Sequence, residues 1–195
     1  MGKALDEFKE ITKQSLPFLF IAGIGELFAG LLLSTLINSS EPRYMNLIPG
    51  MLLLLPALMN LRGAISSSFA ARLGSAYHLG LLKGGVFNDV FKEGLKGSLV
   101  LALVSSVSVS IFAFIAATLS KIQNPSLPFF LFIAVSSSLL SAVVLGFVTS
   151  FLTTFSVKKN LDPDNFIIPV ITTVGDIFLV SMAYLLMLFF VGVFA

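Results

Sequence analysis

One carboxylate stands inside an apolar run. Asp176 lies in the stretch DPDNFIIPVITTVGDIF, residues 162–178, beyond Pro169 and among isoleucine, valine and phenylalanine. A carboxylate at the middle of a membrane helix costs about 2.5–3.5 kcal/mol on insertion scales, so it must face a partner, water or an ion rather than lipid. At 100° per residue, Asn165, Thr172 and Asp176 fall within about 40° of one another with Pro169 beside them, whereas Ile167, Ile171, Val174 and Phe178 point elsewhere. A file of oxygen donors ending on a carboxylate suits a hard cation. Asp176 therefore has two readings, a ligand in an ion path or the partner of a buried base.

The base is Arg62. It lies in an apolar stretch, residues 46–82, that is longer than one span needs and is interrupted by Pro49, Pro56 and Gly63. Broken helices are tolerated at membrane depth where the freed backbone lines a cavity or a protein interior, so a break near Pro56 and Gly63 is expected, with freed carbonyls there and near Pro169 adding oxygens to the path. Pro56, Asn60, Gly63 and Ser67 share one narrow face, which makes Asn60 and Gly63 candidate lining residues. Arg62 itself reads as structural, because a cation lining a cation path repels the permeant ion. Its expected partner is Glu26 or a helix-end carbonyl. Glu26 sits among Gly23, Gly25, Ala29 and Gly30, small residues that let helices approach closely in lipid, and it is either paired inside the bundle or near water.

The elements that must position these groups are transmembrane helices. The chain has 195 residues, 56% hydrophobic and 11% charged, with a mean hydropathy of +1.00. Soluble domains carry about 25% charged residues, so this chain cannot cover a water-facing surface. Apolar runs of about 20 residues match helices across a hydrocarbon core of about 30 Å and do not show the alternation of a barrel. The spacing predicts an all-α protein with spans over residues 17–37, 47–73, 97–119 and 128–155, and a fifth ending near Phe194. An interfacial segment follows the second span through Lys83, and residues 84–96 form a partly helical connector. The third and fourth spans, rich in Ser, Gly and Ala with no charge inside, are expected to serve packing.

Residues 1–16 alternate Lys3, Lys9 and Lys13 with Asp6, Glu7 and Glu10, while Leu5, Phe8 and Ile11 recur at helical spacing, which reads as an amphipathic interfacial helix rather than a cleaved signal peptide. With the N-terminus inside, inner segments carry Lys3, Lys9, Lys13, Arg72, Lys83, Lys92, Lys96, Lys158 and Lys159, against Arg43 and Lys121 outside. The positive-inside rule thus sets N-in and C-out in the cell membrane. Asp162 and Asp164 then sit at the cytoplasmic mouth of the fifth helix, about 21 Å from Asp176 at 1.5 Å per residue. There is no cysteine, so thiolate metal sites are excluded, and the single His78 reads as interfacial rather than as a ligand. The basic residues do not form a nucleic-acid footprint.

Two segments carry a family resemblance. PALMNLRGAISSSFAARLGSAYHLG, residues 56–80, resembles the second-helix signature of the MgtE magnesium channels and especially of their eukaryotic solute-carrier relatives. DPDNFIIPVITTVGDIF is similar to the fifth-helix signature, Asp or Asn-Pro-Asp-Asn, a proline four residues on, then Gly-Asp. The resemblance, with the five-span layout, covers the chain from about residue 15 onward. It implies a dimer whose cation path runs between the two copies, lined by the second and fifth helices, with Asp176 at the central ion site and Asp162 at the cytoplasmic entrance. Ala64 stands where the family has the Asn of Gly-Asn, and Ser66 where the solute-carrier relatives have Glu. The short N-terminal stretch implies that the large cytoplasmic sensing region of bacterial MgtE is missing.

The transported ion implied is Mg²⁺. This small ion prefers octahedral oxygen and gives up water reluctantly, so one or two carboxylates gripping the hydrated ion suit it, and a twofold axis supplies Asp176 twice. The expected function is a divalent cation transporter or channel. An alternative is a subunit that pairs with a more complete paralogue and supplies only part of the site. An enzyme is not expected, because no nucleophile with a base and no set of metal-ligand side chains is present.

Overall fold

The computed structural model describes residues 2–38, 45, 47–81, 89–122, 126–158 and 163–194. These form five helices in chain order: α1 (Gly2–Asn38), α2 (Ile48–His78), α3 (Asp89–Leu119), α4 (Leu127–Lys158) and α5 (Pro163–Phe194). No strand occurs among the described residues. Each helix holds an apolar segment long enough to cross a bilayer: Ser15–Thr35, Ile48–Tyr77, Asp89–Leu119, Leu127–Ser156 and Ile167–Val193. The protein is a multi-pass membrane protein. At 1.5 Å per residue helices of about 31 residues are about 46 Å long, so their ends extend past a hydrocarbon core of about 30 Å or the helices tilt within it.

Two expectations are corrected. The second span does not break at Pro56 or Gly63, and the interfacial segment expected after residue 73 continues the same helix to His78. The reason is the cost of bare backbone in lipid: proline removes one hydrogen bond, whereas unwinding a turn exposes several polar groups with no water to take them. α5 likewise runs unbroken through Pro169, and α1 passes through Pro17 as one helix. α3 starts at Asp89, within the expected connector, and its exposed first turns carry the pairs Lys92–Asp89 and Lys96–Glu93.

α2 ends because Gly80 adopts φ +68°, outside the reach of most side chains. Its N–H donates to the Tyr77 carbonyl at 2.8 Å and that of Leu81 to the Ala76 carbonyl at 2.9 Å, the paired closing bonds of a Schellman cap. α3 ends the same way at Lys121, φ 55°, where the N–H of Ile122 donates to the Ala117 carbonyl at 3.0 Å.

α2 and α4 pack on one another and each on both α3 and α5, whereas α1 packs chiefly on α5. One buried core joins Leu54 and Leu58 of α2, Ala117 of α3, Phe129 and Ile133 of α4, and Leu179 of α5. A second joins Ala70, Leu145, Ile167 and Ile171. The serines of α3 and α4 meet their expected role: Ser98, Ser106, Ser110, Ser137 and Thr149 are buried and turn their hydroxyls back onto carbonyls of their own helices. Such bonds hide the hydroxyl and leave a small side chain at the helix contact. Leu19, Phe20, Val104 and Phe112 remain exposed, the surface that lipid covers.

Candidate ion site

Arg62 and Asp176 stand between the two apolar cores, since α2 passes from Leu58 through Arg62 to Ala70 and α5 from Ile171 through Asp176 to Leu179. The two side chains form an ion pair, Arg62 Nη2 to Asp176 Oδ1, with side-chain exposures of 4% and 13%. Arg62 Nη1 also donates to the Ile171 carbonyl at 3.3 Å, and Nη2 to the Thr172 carbonyl at 3.0 Å. Arg62 is the structural base expected from the sequence. Its hydrogen-bond partners are Asp176, the pairing that is one of the two readings of that acid, and two carbonyls in the middle of α5 rather than at a helix end.

Gly175 makes this possible. A Cβ at position 175 would lie 1.6 Å from Arg62 Nη1 and 2.4 Å from Cζ, so the Gly-Asp pair couples an acid to the gap through which its base arrives. Glu26 completes the group from α1, with its carboxyl at hydrogen-bonding range of Asp176 and within electrostatic reach of Arg62. α1 is brought there by Gly25, whose added Cβ would fall 2.0 Å from Thr173 Cγ2. Thr173 in turn donates to the Ala22 carbonyl at 3.4 Å and to the Pro169 carbonyl at 3.0 Å. The three charged residues placed at depth in the sequence, on three different helices, thus meet in one place.

The remaining candidate residues are distributed differently. Thr172, half-buried next to the ion pair, donates its hydroxyl to the carbonyls of Ile168 at 3.1 Å and Pro169 at 2.9 Å, which leaves its oxygen lone pairs free to face an ion. Asn60 is exposed, about 200° around α2 from Arg62 at 100° per residue. Gly63 is half-buried with open space where a side chain would be. Within one chain the polar face of α2 therefore looks outward while Arg62 looks inward. Asp162 lies outside the described residues, and Asn165 lies in α5 with no description of its side chain. Among the described residues no group of three or more His, Cys, Asp or Glu gathers. Glu26 was legible as an acid at depth, but nothing in its spacing tied it to α5.

Behind Arg62, away from the acids, Ser66, Ser138 and Ala142 line a small cavity of about 10 Å³. Arg62 Nε and Ser138 Oγ make no hydrogen bond among the described residues. The space is about one water's worth by the usual threshold of about 10–15 Å³, and Arg62, Ser66 and Ser138 are the polar members of an otherwise apolar lining.

Five apolar helices around a buried acid–base group define a polytopic membrane protein that holds charge at mid-depth. The MgtE family, described as Divalent cation transporter, matches residues 55–188, and the chain belongs to that family. No solved structure matches it. The family is one of transporters and not of enzymes, and membership implies divalent cation transport. The matched region holds both Arg62 and Asp176 but begins after Glu26.

Proposed function

We propose that this chain carries Mg²⁺ across the cell membrane along a path between two copies of itself, lined by α2 and α5, with Asp176 from each copy at the centre. The observation that carries the reading is Asp176: a carboxylate at the middle of a membrane helix, held by Arg62 yet with 13% of its side chain still exposed. A lone chain would leave this opening and the outward Asn60–Gly63 face of α2 to lipid, which charged and polar groups avoid. A second copy related by a twofold axis covers both.

In this arrangement Thr172, Asn165 and Asn60 offer hydroxyl and amide oxygens to the waters of the ion, and Gly63, with no side chain, leaves them room. Mg²⁺ keeps much of its hydration shell, so such an outer set suits it. Two Asp176 carboxylates facing one another repel when the site is empty, and a divalent ion between them relieves that repulsion. Residues 1–16 lie at the cytoplasmic interface, the C-terminus lies outside, and Asp162 marks the cytoplasmic entrance. Ala64 is exposed and Ser66 buried. The two departures from the family pattern therefore fall on different sides of α2, and only the first lies on the proposed path.

The chain has no cysteine, which makes the interface directly testable. Asn60→Cys should form a disulfide-linked dimer in membranes, while Val104→Cys, on the exposed face of α3, should not. Cross-linking at Val104 but not at Asn60 would place the contact elsewhere.

A further inference from the structure

Ser138 departs from the pattern of its neighbours. The buried hydroxyls of Ser98, Ser106, Ser110, Ser137, Thr149 and Thr153 turn back onto carbonyls of their own helices, whereas Ser138 Oγ, also buried, makes no hydrogen bond among the described residues. Arg62 Nε is in the same position. The guanidinium directs its bonds to α5 through Nη1 and Nη2, to the Ile171 and Thr172 carbonyls and to Asp176. Both residues line one cavity, with Ser66, where α2 meets α3 and α4. Ser141 Oγ, a turn further along α4, is unbonded too, but Ser141 does not line this space. A buried polar atom without a partner is costly, and a polar cavity of about 10 Å³ is the size that admits one water.

We infer that a water held in this cavity joins Arg62 Nε to Ser138 Oγ, and that Ser138 is thereby a positioning residue for the central ion site. The water accepts from the Nε–H and donates to the serine oxygen. Ser66 Oγ is a further partner, which makes up the two to four bonds a buried water needs. Both ends of the guanidinium are then fixed, Nη1 and Nη2 by α5 and Nε by α4 through the water. The consequence lies at Asp176. An arginine left free can grip a carboxylate with two parallel N–H bonds. With Nε tied behind and Nη1 on the Ile171 carbonyl, Arg62 meets Asp176 through Nη2, on Oδ1, and the rest of the carboxylate is left for a cation. The inference rests on the proposed path through Asp176 and brings α4, which supplies no charge, into the control of that site.

Removing the hydroxyl has opposite signs for a wet and a dry cavity. With the water, Ser138→Ala takes away one of its partners and loosens Nε, so the melting temperature of the detergent-solubilised protein should fall by a few degrees. In a dry cavity the same change removes an unbonded polar group, and an unchanged or higher melting temperature would overturn the inference. Arg62→Lys keeps the positive charge but has no Nε–H. In that background Ser138→Ala should have no effect, and a loss as large as in the unaltered protein would contradict the bridge. Should Ser138→Ala not yield monodisperse protein, Ser138→Cys, a weaker hydrogen-bond partner in the same place, decides by the same signs. Positioning is read apart from stability, as Mg²⁺ flux into proteoliposomes at matched folded protein. Ser138→Ala should raise the Mg²⁺ concentration for half-maximal flux severalfold and leave the maximal flux nearly unchanged, because a freed Arg62 competes with the ion for Asp176 without removing it. An unchanged half-maximal concentration would overturn the positioning role. Asp176→Asn run in parallel separates the two levels. If Asp176→Asn is defective while Ser138→Ala is unaltered in both readouts, the present inference alone fails; if Asp176→Asn transports Mg²⁺ normally, the central-site reading beneath it fails.

Discussion

Gly175 leaves the space that the Arg62 guanidinium fills, for a Cβ there would lie 1.6 Å from Nη1. Gly175→Ala should push Arg62 off Asp176 and strand both charges. Breaking a buried pair costs about 3–5 kcal/mol. The expected result is a marked fall in melting temperature by size-exclusion fluorescence in detergent. A Gly175→Ala protein as stable as the unaltered one would mean that Arg62 has another resting place.

The ion pair predicts a compensation. In the absence of Mg²⁺, Arg62→Gln should lower stability by leaving a buried carboxylate short of its partner, and Asp176→Asn should strand the guanidinium. The double variant should be more stable than the sum of the two losses predicts, by about 1–3 kcal/mol, the coupling expected of groups in contact. Additive losses in a double-mutant cycle would argue against a direct pair.

Why the pair was only half legible is a matter of geometry. The sequence marked Glu26, Arg62 and Asp176 as charges that lipid cannot hold, and periodicity gave the five spans to within a few residues at most ends. It did not settle which base meets which acid, because that depends on how closely two helices approach. The deciding residues are glycines whose role is to be absent: Gly175 opposite Arg62 and Gly25 opposite Thr173. The expected breaks at Pro56 and Gly63 failed for another reason. Local propensity argues for a break, but in lipid an intact hydrogen-bond ladder outweighs the loss of one bond.

Gly25 gives the corresponding prediction for α1. This helix packs chiefly on α5, and the two approach closely at Gly25 and Thr173, 2.0 Å from an added Cβ to Thr173 Cγ2. Gly25→Leu should separate the two helices and carry Glu26 away from Asp176. A disulfide between Ala22→Cys and Thr173→Cys, expected to form readily, should then be lost in the Gly25→Leu background. Cross-linking that persists unchanged would show that α1 docks by other contacts.

Lys121 holds φ 55° at the cap of α3, a conformation that costs a side chain about 1 kcal/mol relative to glycine. Lys121→Gly should therefore raise stability by about 0.5–1 kcal/mol without altering transport. Thermal unfolding checks it, and a destabilised variant would show that the Lys121 side chain contributes more than its backbone strain costs.

Mg²⁺ flux into proteoliposomes at matched protein levels tests the central claim most directly. Asp176→Asn keeps size and hydrogen bonding but removes the charge that offsets desolvation of the ion, so flux should fall by well over tenfold, more than about 1.4 kcal/mol. Asp162→Asn, at a wet entrance where salt screens charge over about 8–10 Å, should lower flux only a fewfold. That order is what the account predicts. An Asp176→Asn protein that transports Mg²⁺ like the unaltered chain, or a larger defect from Asp162→Asn, would contradict it.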